Sequence, residues 1–277
     1  MNSSEFAEIR APFKKRLPPL RGYLKDLLAR RSFIHTYAIT EIRRQNLDSF
    51  FGQLWLVLNP LALAAIFYIL LFIIRKDSST PNFLHLLSNV LLFYFVSNCL
   101  TDGVKSITNA SSLLLNSRFP RLVLPLASTL IGVYKFAPTF IIILLAKVVM
   151  GSPFSLNNLF AIPIFFILAI LTFSLAVFAS VSNIYFRDTQ NILPFVLRGL
   201  LYLSPILFLA ESLPSSLWLI KYLNPLYLIF SNWSLALLNG TAPIGKEIGI
   251  STLITLSLFL TSLWVFLRQE KEMAVRV

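Results

Sequence analysis

Residues 50–76 read FFGQLWLVLNPLALAAIFYILLFIIRK, and this stretch decides the fold. From about residue 54 the sequence is apolar over about 20 residues, which is the length that crosses a bilayer as a helix. Its beginning is unusual, because Gly52, Trp55, Asn59 and Pro60 precede the uninterrupted apolar run. Gly52 permits a turn, and Pro60 is tolerated near the first turns of a helix. The pattern predicts a membrane span that follows a sharp turn at the bilayer surface, where Trp55 is either part of the turn or an ordinary interfacial aromatic.

The composition of the whole chain also indicates an integral membrane protein. Hydrophobic residues make up 56% of the 277 residues and charged residues 13%, whereas soluble domains have about 45–50% and about 25%. One Cys and two His provide no ligand set for a zinc or redox site. The acidic residues total 12; Asp102 and Glu211 lie near the ends of apolar runs, and none lies in the middle of one. A proton-driven carrier is therefore disfavoured, since such carriers need titratable groups inside the bilayer.

Five apolar runs are long enough to span a membrane, and a sixth is interrupted by prolines. The five runs cover about 54–74, 84–104, 122–146, 159–182 and 248–267. The segment 191–240 is apolar but contains Pro194, Pro205, Pro214 and Pro225. We interpret it as a span over about 192–210 followed by short broken helices that do not cross. The sequence therefore predicts an all-α membrane protein with six transmembrane helices and re-entrant helices between spans 5 and 6.

The distribution of basic residues predicts the orientation of these spans. With the N terminus inside, most of the 24 Lys and Arg residues lie on cytoplasmic segments. The outer segments carry only five, namely Arg75, Lys76, Lys147, Lys221 and Lys246. Cytoplasmic loops are enriched in Lys and Arg, so both termini are predicted to be cytoplasmic. The net charge of +12 is then an orientation signal and does not indicate nucleic-acid binding.

The chain before the first span divides into two parts. Residues 1–20 are predicted to form a flexible basic arm. Residues 21–49 carry apolar residues at helical spacing among basic ones, which predicts an amphipathic helix at the membrane interface. A basic juxtamembrane stop signal is the alternative, but it does not explain the apolar stripe. Residues 50–277 form the predicted six-span domain.

Lys135 is the only cation deep within a predicted span. A buried ammonium is costly and usually faces a cavity or a partner, so Lys135 is a candidate residue of a substrate path. Alternatively, the span is offset and the side chain extends to the interface.

Three ordered patterns point to a known family. They are RRQNLDSFFGQLWLVLNP (43–60), NSRFPRLVLP (116–125), and the pair NIYFRDTQNILPFVLRGLLYLSPILF (183–208) with YLNPLYLI (222–229). In this order, within six spans, the chain from about residue 23 resembles the permease subunit of a type 2 ABC exporter. Within that family it resembles the branch that exports lipid-linked polysaccharides, O-antigens and teichoic acids.

The resemblance implies an assembly in the bacterial inner membrane. Two copies of this chain would pair and dock two separate ATPase subunits on the cytoplasmic side. The chain itself lacks a Gly-x-x-x-x-Gly-Lys-[Ser/Thr] loop, so ATP and Mg²⁺ are expected on the partner ATPase and no cofactor is expected on this chain. The implied cargo is a lipid-linked glycan, and no catalytic or metal-binding residue is assigned.

The resemblance also assigns roles to individual residues. The loop at about 109–121 would contact the ATPase together with the second cytoplasmic loop, giving the coupling residues Asn109, Asn116, Arg118, Arg121, Arg187 and Asp188. Broken helices at about 212–240 would form an outer gate, with Ser204, Pro205, Asn224 and Pro225. Spans 1 and 5 would line the path, for which the candidates are Trp55, Phe67, Tyr68, Lys135, Arg198 and Tyr202. Arg198 would attract an anionic lipid or polymer, or would extend to lipid headgroups.

Two other functions stay open at this point. The same type of permease can carry a drug or another lipid, because nothing in the residues fixes the cargo. A membrane-embedded glycosyltransferase or acyltransferase would need carboxylates or a His at a membrane-surface cavity. Asp102, Asp188 and Glu211 are too scattered in the sequence to favour that reading.

Overall fold

The described part of the chain is entirely helical, which confirms the predicted all-α class. A computed structural model describes residues 20–45, 51–74, 82–110 and 120–276, and no strand occurs in these ranges. The α-helices are α1 (Leu20–Ala29), α2 (Arg31–Arg44), α3 (Trp55–Ile74), α4 (Phe83–Lys105), α5 (Val123–Val149), α6 (Ala161–Tyr185), α7 (Thr189–Leu203), α8 (Trp218–Leu223), α9 (Tyr227–Trp233) and α10 (Gly245–Arg276). A π-helical turn, Ser234–Leu238, continues α9.

Five helical segments are long and apolar enough to cross a membrane, and they match the five clear predicted runs. They are Gly52–Ile73, Phe83–Lys105, Val123–Val149, Leu156–Tyr185 and Gly245–Glu270. Following the charge-based orientation, we call the end where α4 begins the outer end and the end where α5 begins the inner end.

The predicted fifth span is shorter than the sequence suggested. It begins as α7 and ends at Leu203 rather than near residue 210. Its 15 residues extend over about 22 Å at about 1.5 Å per residue, which is less than the roughly 30 Å of a bilayer core. Ser204 ends the helix because it precedes Pro205 and adopts an extended conformation, with φ −94° and ψ 154°.

Short helices follow this break, as predicted for the segment after span 5. Two 3₁₀ turns, Ala210–Ser212 and Ser215–Leu217, lead to α8 and α9. Asn224 repeats the chemistry of Ser204, since it precedes Pro225 and is also extended. The prolines therefore divide the apolar segment 189–238 into pieces, while whether these pieces re-enter the membrane stays a prediction.

Helix α4 is the centre of the fold. In its most apolar stretch of 18 residues, 78% is buried inside the protein. The helix packs against α3, α5, α6 and α7. Gly103 lies so close to α6 that a Cβ there would be 2.7 Å from the Cβ of Ala176. A small residue at this position allows the two backbones to approach closely.

Helix α3 lies at the periphery. Only 11% of its most apolar stretch of 18 residues is buried. Its exposed side chains include Ile69 and Phe72. Before it, Gly52 adopts φ +48°, a conformation that favours glycine, so the turn expected there is present.

The predicted amphipathic helix over 21–49 consists of two helices with a break at Arg30, and residues 46–49 lie outside the described ranges. Part of its apolar stripe contacts protein, because Ile34 and Ala38 are buried and pack with Val123 and Ala127 of α5. Its position at a membrane interface stays a prediction, as does the flexible arm, since residues 1–19 are outside the described ranges.

Candidate functional site

The break after α7 is held by polar side chains of α4. The carbonyl of Pro205 lies outside any helix and would be unpaired in an apolar interior. Asn89 Nδ2 lies 3.3 Å from this oxygen and also donates to Ser234 Oγ at 2.9 Å. His85 Nε2 lies 3.2 Å from the same carbonyl. Asn89 therefore joins the central helix to both broken segments.

The predicted gate residues come together at the second break. Asn224 donates through Nδ2 to Ser204 Oγ at 2.9 Å, and its Oδ1 accepts the Leu226 N–H at 3.0 Å. Ser204 precedes Pro205 and Asn224 precedes Pro225, so each lies at one of the two breaks. The hydrogen bond between them therefore connects the breaks. Sequence reasoning placed these four residues in one group but missed the partners on α4, because buried Ser, Asn and His inside an apolar run carry no sign of their contacts.

Two side chains cap the end of the π-helical turn, one from the 3₁₀ helix Leu156–Phe160 before α6 and one from the last turn of α5. The last carbonyls of a helix lack partners within the helix, and here they receive them from outside. Asn158 Nδ2 donates to the carbonyls of Ala236 and Leu237 at 2.8 Å each. Lys147, which is fully buried, also donates to the Leu237 carbonyl, so a cation lies where a helix end favours one.

A cavity of about 830 Å³ lies beside these contacts. This volume is within the range of about 300–1,000 Å³ that ligand pockets occupy. An ion pair lies at its wall, with Lys221 Nζ 2.5 Å from Glu247 Oε1. Asn232 donates to the other carboxylate oxygen of Glu247 at 2.9 Å. The outer end is therefore a hydrogen-bonded polar region.

Lys135 has a charged partner. Its Nζ lies 3.4 Å from Asp102 Oδ2, and 10% of its side chain is exposed. Glu41 of α2 is also near, and hydrogen bonds from Arg44, with smaller contributions from the charges of Arg44 and Lys135, lower the pKa of Glu41. Lys135 is therefore paired with the carboxylate of Asp102, which accounts for its burial without a substrate.

The other candidate path residues do not line the outer cavity. Trp55, Tyr68, Arg198 and Tyr202 are exposed on α3 and α7, whereas Phe67 is partly buried against the core. None of the five lines the outer cavity. In a single chain these residues lie on open helix faces.

The candidate coupling residues lie at the inner end where they are described. Asn109 is exposed after α4, and Arg187 and Asp188 form an exposed turn between α6 and α7. Asn116 and Arg118 lie outside the described residues.

Arg121 is anchored to α10. Its backbone N–H donates to Glu270 Oε1 at 2.7 Å, and its guanidinium donates to the Glu270 carbonyl. Tyr23 of α1 donates to the same carboxylate oxygen at 3.1 Å. Burial, and secondly the charge of Glu270, raise the pKa of Tyr23, so its hydroxyl stays protonated. Helix α1 and the inner end of α10 therefore lie at the same end of the molecule.

Among the described residues, no three His, Cys, Asp or Glu side chains form a group that could hold a metal ion.

Comparison with known proteins identifies relatives along most of the chain. A family model described as "ABC-2 type transporter" matches residues 34–237. An "O-antigen export system permease protein RfbA" of Klebsiella pneumoniae is 29% identical over 222 residues, covering 79% of this chain and 83% of the relative. One of the same name from Myxococcus xanthus is 23% identical over 91% of this chain and 97% of its own length. The "Polysialic acid transport protein KpsM" of Escherichia coli is 25% identical over 80% of this chain and 87% of its own length.

Proposed function

The chain belongs to the ABC-2 type transporter family, and we propose that it is the membrane permease subunit of an ATP-driven exporter of a lipid-linked polysaccharide. The family assignment and the five long apolar helices both indicate a multi-pass membrane protein. The observation that carries the cargo class is the similarity to two O-antigen export permeases and a polysialic acid transport protein over 79–91% of the chain. The membrane is the bacterial inner membrane.

The energy for export comes from a separate ATPase subunit. The sequence contains no Walker A loop, so ATP and Mg²⁺ bind to the partner. Two exposed positions at the inner end support a docking surface there, namely Asn109 after α4 and the Arg187–Asp188 turn. This chain transmits the work of the ATPase and performs no bond chemistry itself.

Two copies of the chain enclose the path. Helices α3 and α7 expose large apolar and aromatic side chains, including Tyr68 at 38% and Tyr202 at 58%. Aromatic rings present an apolar face to the C–H groups of sugars, while a Tyr hydroxyl bonds their oxygens. A path lined by such groups holds each sugar weakly enough to release it. The breaks at Ser204–Pro205 and Asn224–Pro225 form the outer gate.

Reconstitution tests this function. The chain is co-purified with ATPase subunits encoded beside its gene, and the complex is placed in proteoliposomes with lipid-linked glycan from the same cells. We expect ATP hydrolysis to rise with the glycan, and the glycan to become accessible to a glycosidase on the opposite side. A complex whose ATPase lacks its Walker A lysine is the matched control and should move nothing.

The outcomes separate the competing functions. If a drug or another lipid stimulates ATP hydrolysis and the glycan does not, the chain is a permease with a different cargo. Glycosyl or acyl transfer by this chain without ATP would establish an enzyme. Failure to bind any ATPase would exclude an ABC exporter.

A further inference from the structure

Side chains from two other helices bind the backbone immediately before α5. Leu122 precedes the helix and has no side-chain cap of its own. Its N–H donates to the Tyr23 hydroxyl at 3.4 Å, and the preceding Arg121 N–H donates to Glu270 Oε1 at 2.7 Å. Tyr23 donates to that same oxygen at 3.1 Å. One carboxylate oxygen therefore joins α1, α5 and α10.

This contact, a joint between three helices, lies against a buried apolar cluster. Ile107, Leu122, Phe266 and Met273 belong to one buried apolar cluster, against which Tyr23 packs. Breaking the joint would leave a carboxylate and two backbone N–H groups without partners in a poorly solvated site. Unpaired polar groups in such sites are costly, so displacing the start of α5 moves α1 and α10 with it.

We propose that Glu270, together with Tyr23, is the positioning unit that passes movement of the loop between α4 and α5 to α1 and α10. The inference rests on the proposed function, because an ATPase must be present to displace the loop. The unit contacts neither ATP nor cargo. Its role is to keep the beginning of α5 from moving independently of the helices at both ends of the chain.

The test uses the full complex with its ATPase and a non-hydrolysable ATP analogue. Hydrogen exchange is compared with and without the analogue in 105–122, in α1 and in the last turns of α10. In the wild type, all three regions should respond. In Glu270→Ala, the response of 105–122 should persist, while the response of α1 should fall on the order of tenfold, as the loss of hydrogen bonds to a charged group implies.

Four further variants separate positioning from general stability. Glu270→Gln keeps an acceptor oxygen at the same place and should retain the response of α1. Asp26→Ala removes an exposed carboxylate of α1 and should also retain it. Tyr23→Phe should reduce the response, and the double variant Tyr23→Phe/Glu270→Ala should be no worse than Glu270→Ala alone, since the two residues act as one unit.

Two results would overturn the inference. One is a Glu270→Ala complex whose α1 responds to the analogue as in the wild type. The other is a complex in which the responses of the loop, α1 and α10 all fall together with the yield of assembled complex, which would show a merely structural role. A wild-type complex that responds to nucleotide but moves no glycan would refute only the proposed cargo, whereas the absence of any ATPase complex would refute both.

Discussion

At the scale of single residues, Asn158 in the 3₁₀ helix before α6 holds several segments of the outer end together. Its amide donates to two carbonyls at the end of the π-helical turn, and its Oδ1 accepts the Ser155 N–H at 2.6 Å. Asn158→Ala removes these bonds and leaves the buried Ala236 carbonyl without this donor. We expect a loss of about 2 kcal/mol in stability, measured as a lower melting temperature of the purified chain in detergent.

The neighbouring Asn157 provides the matched control. It makes one comparable bond, from Nδ2 to the Gly240 carbonyl at 2.9 Å, so Asn157→Ala should cost less. Asn158→Asp should be at least as damaging as Asn158→Ala, because its carboxylate oxygen would face two carbonyl oxygens. Equal melting temperatures for all three variants and the wild type would show that the cap contributes nothing.

At the scale of helices, the contact between α4 and α6 depends on the absence of one Cβ. In Gly103→Ala the new Cβ would lie 2.7 Å from the Ala176 Cβ and 3.4 Å from the Ala176 Cα. Neither atom can rotate away, so the helices must separate, at a cost of about 1–3 kcal/mol. We expect a lower melting temperature, and recovery of most of the loss in Gly103→Ala/Ala176→Gly, where the bulk is exchanged between the helices.

Gly199→Ala is the control for this pair. No heavy atom lies within 4 Å of a Cβ at that position of α7, so the variant should be neutral or slightly more stable, because alanine favours the helix. If the exchange variant melts no higher than Gly103→Ala, the close approach of α4 and α6 is not the cause of the loss.

The link from α4 to the two broken segments depends on Asn89. Asn89→Ala removes one hydrogen bond to Pro205 and one to Ser234. Losing about 1–3 kcal/mol there should raise hydrogen exchange in 204–208 and 234–238 by about tenfold or more. Asn191→Ala, at an exposed position of α7, should leave these rates unchanged. Unchanged rates in Asn89→Ala would mean that the segments are held by apolar packing alone.

The helices differ in how far the sequence predicts them. The five long spans follow from length and apolar composition, which are local properties. Helix α7 ends at Leu203 because the next residue, Ser204, precedes a proline. The apolar sequence continues past this point, so hydropathy alone predicts a longer helix. The contacts of Asn89 with Pro205 and of Arg121 with Glu270 join residues 116 and 149 positions apart. Such pairs depend on which helix faces meet, and a single sequence does not contain that information.

The site residues show the same division at the level of single side chains. The family resemblance groups Ser204 and Asn224 as gate residues, and the two side chains form a hydrogen bond. Lys135 was a path candidate because a buried cation needs a partner, but the sequence did not reveal that Asp102 supplies it.

At the scale of the whole molecule, the proposed pairing of two copies would cover the exposed apolar face of α3. Ile69 on α3 is 57% exposed and Leu253 on α10 is 69% exposed, so exposure alone does not distinguish an interface from a lipid-facing surface. If α3 pairs across the dimer, Ile69→Cys in a Cys99→Ser background should be cross-linked between chains in native membranes by a short bifunctional thiol reagent. Leu253→Cys, which would face lipid, should stay monomeric. Cross-linking of Leu253→Cys without cross-linking of Ile69→Cys would place the interface on α10, and the path enclosed by α3 and α7 would then be wrong.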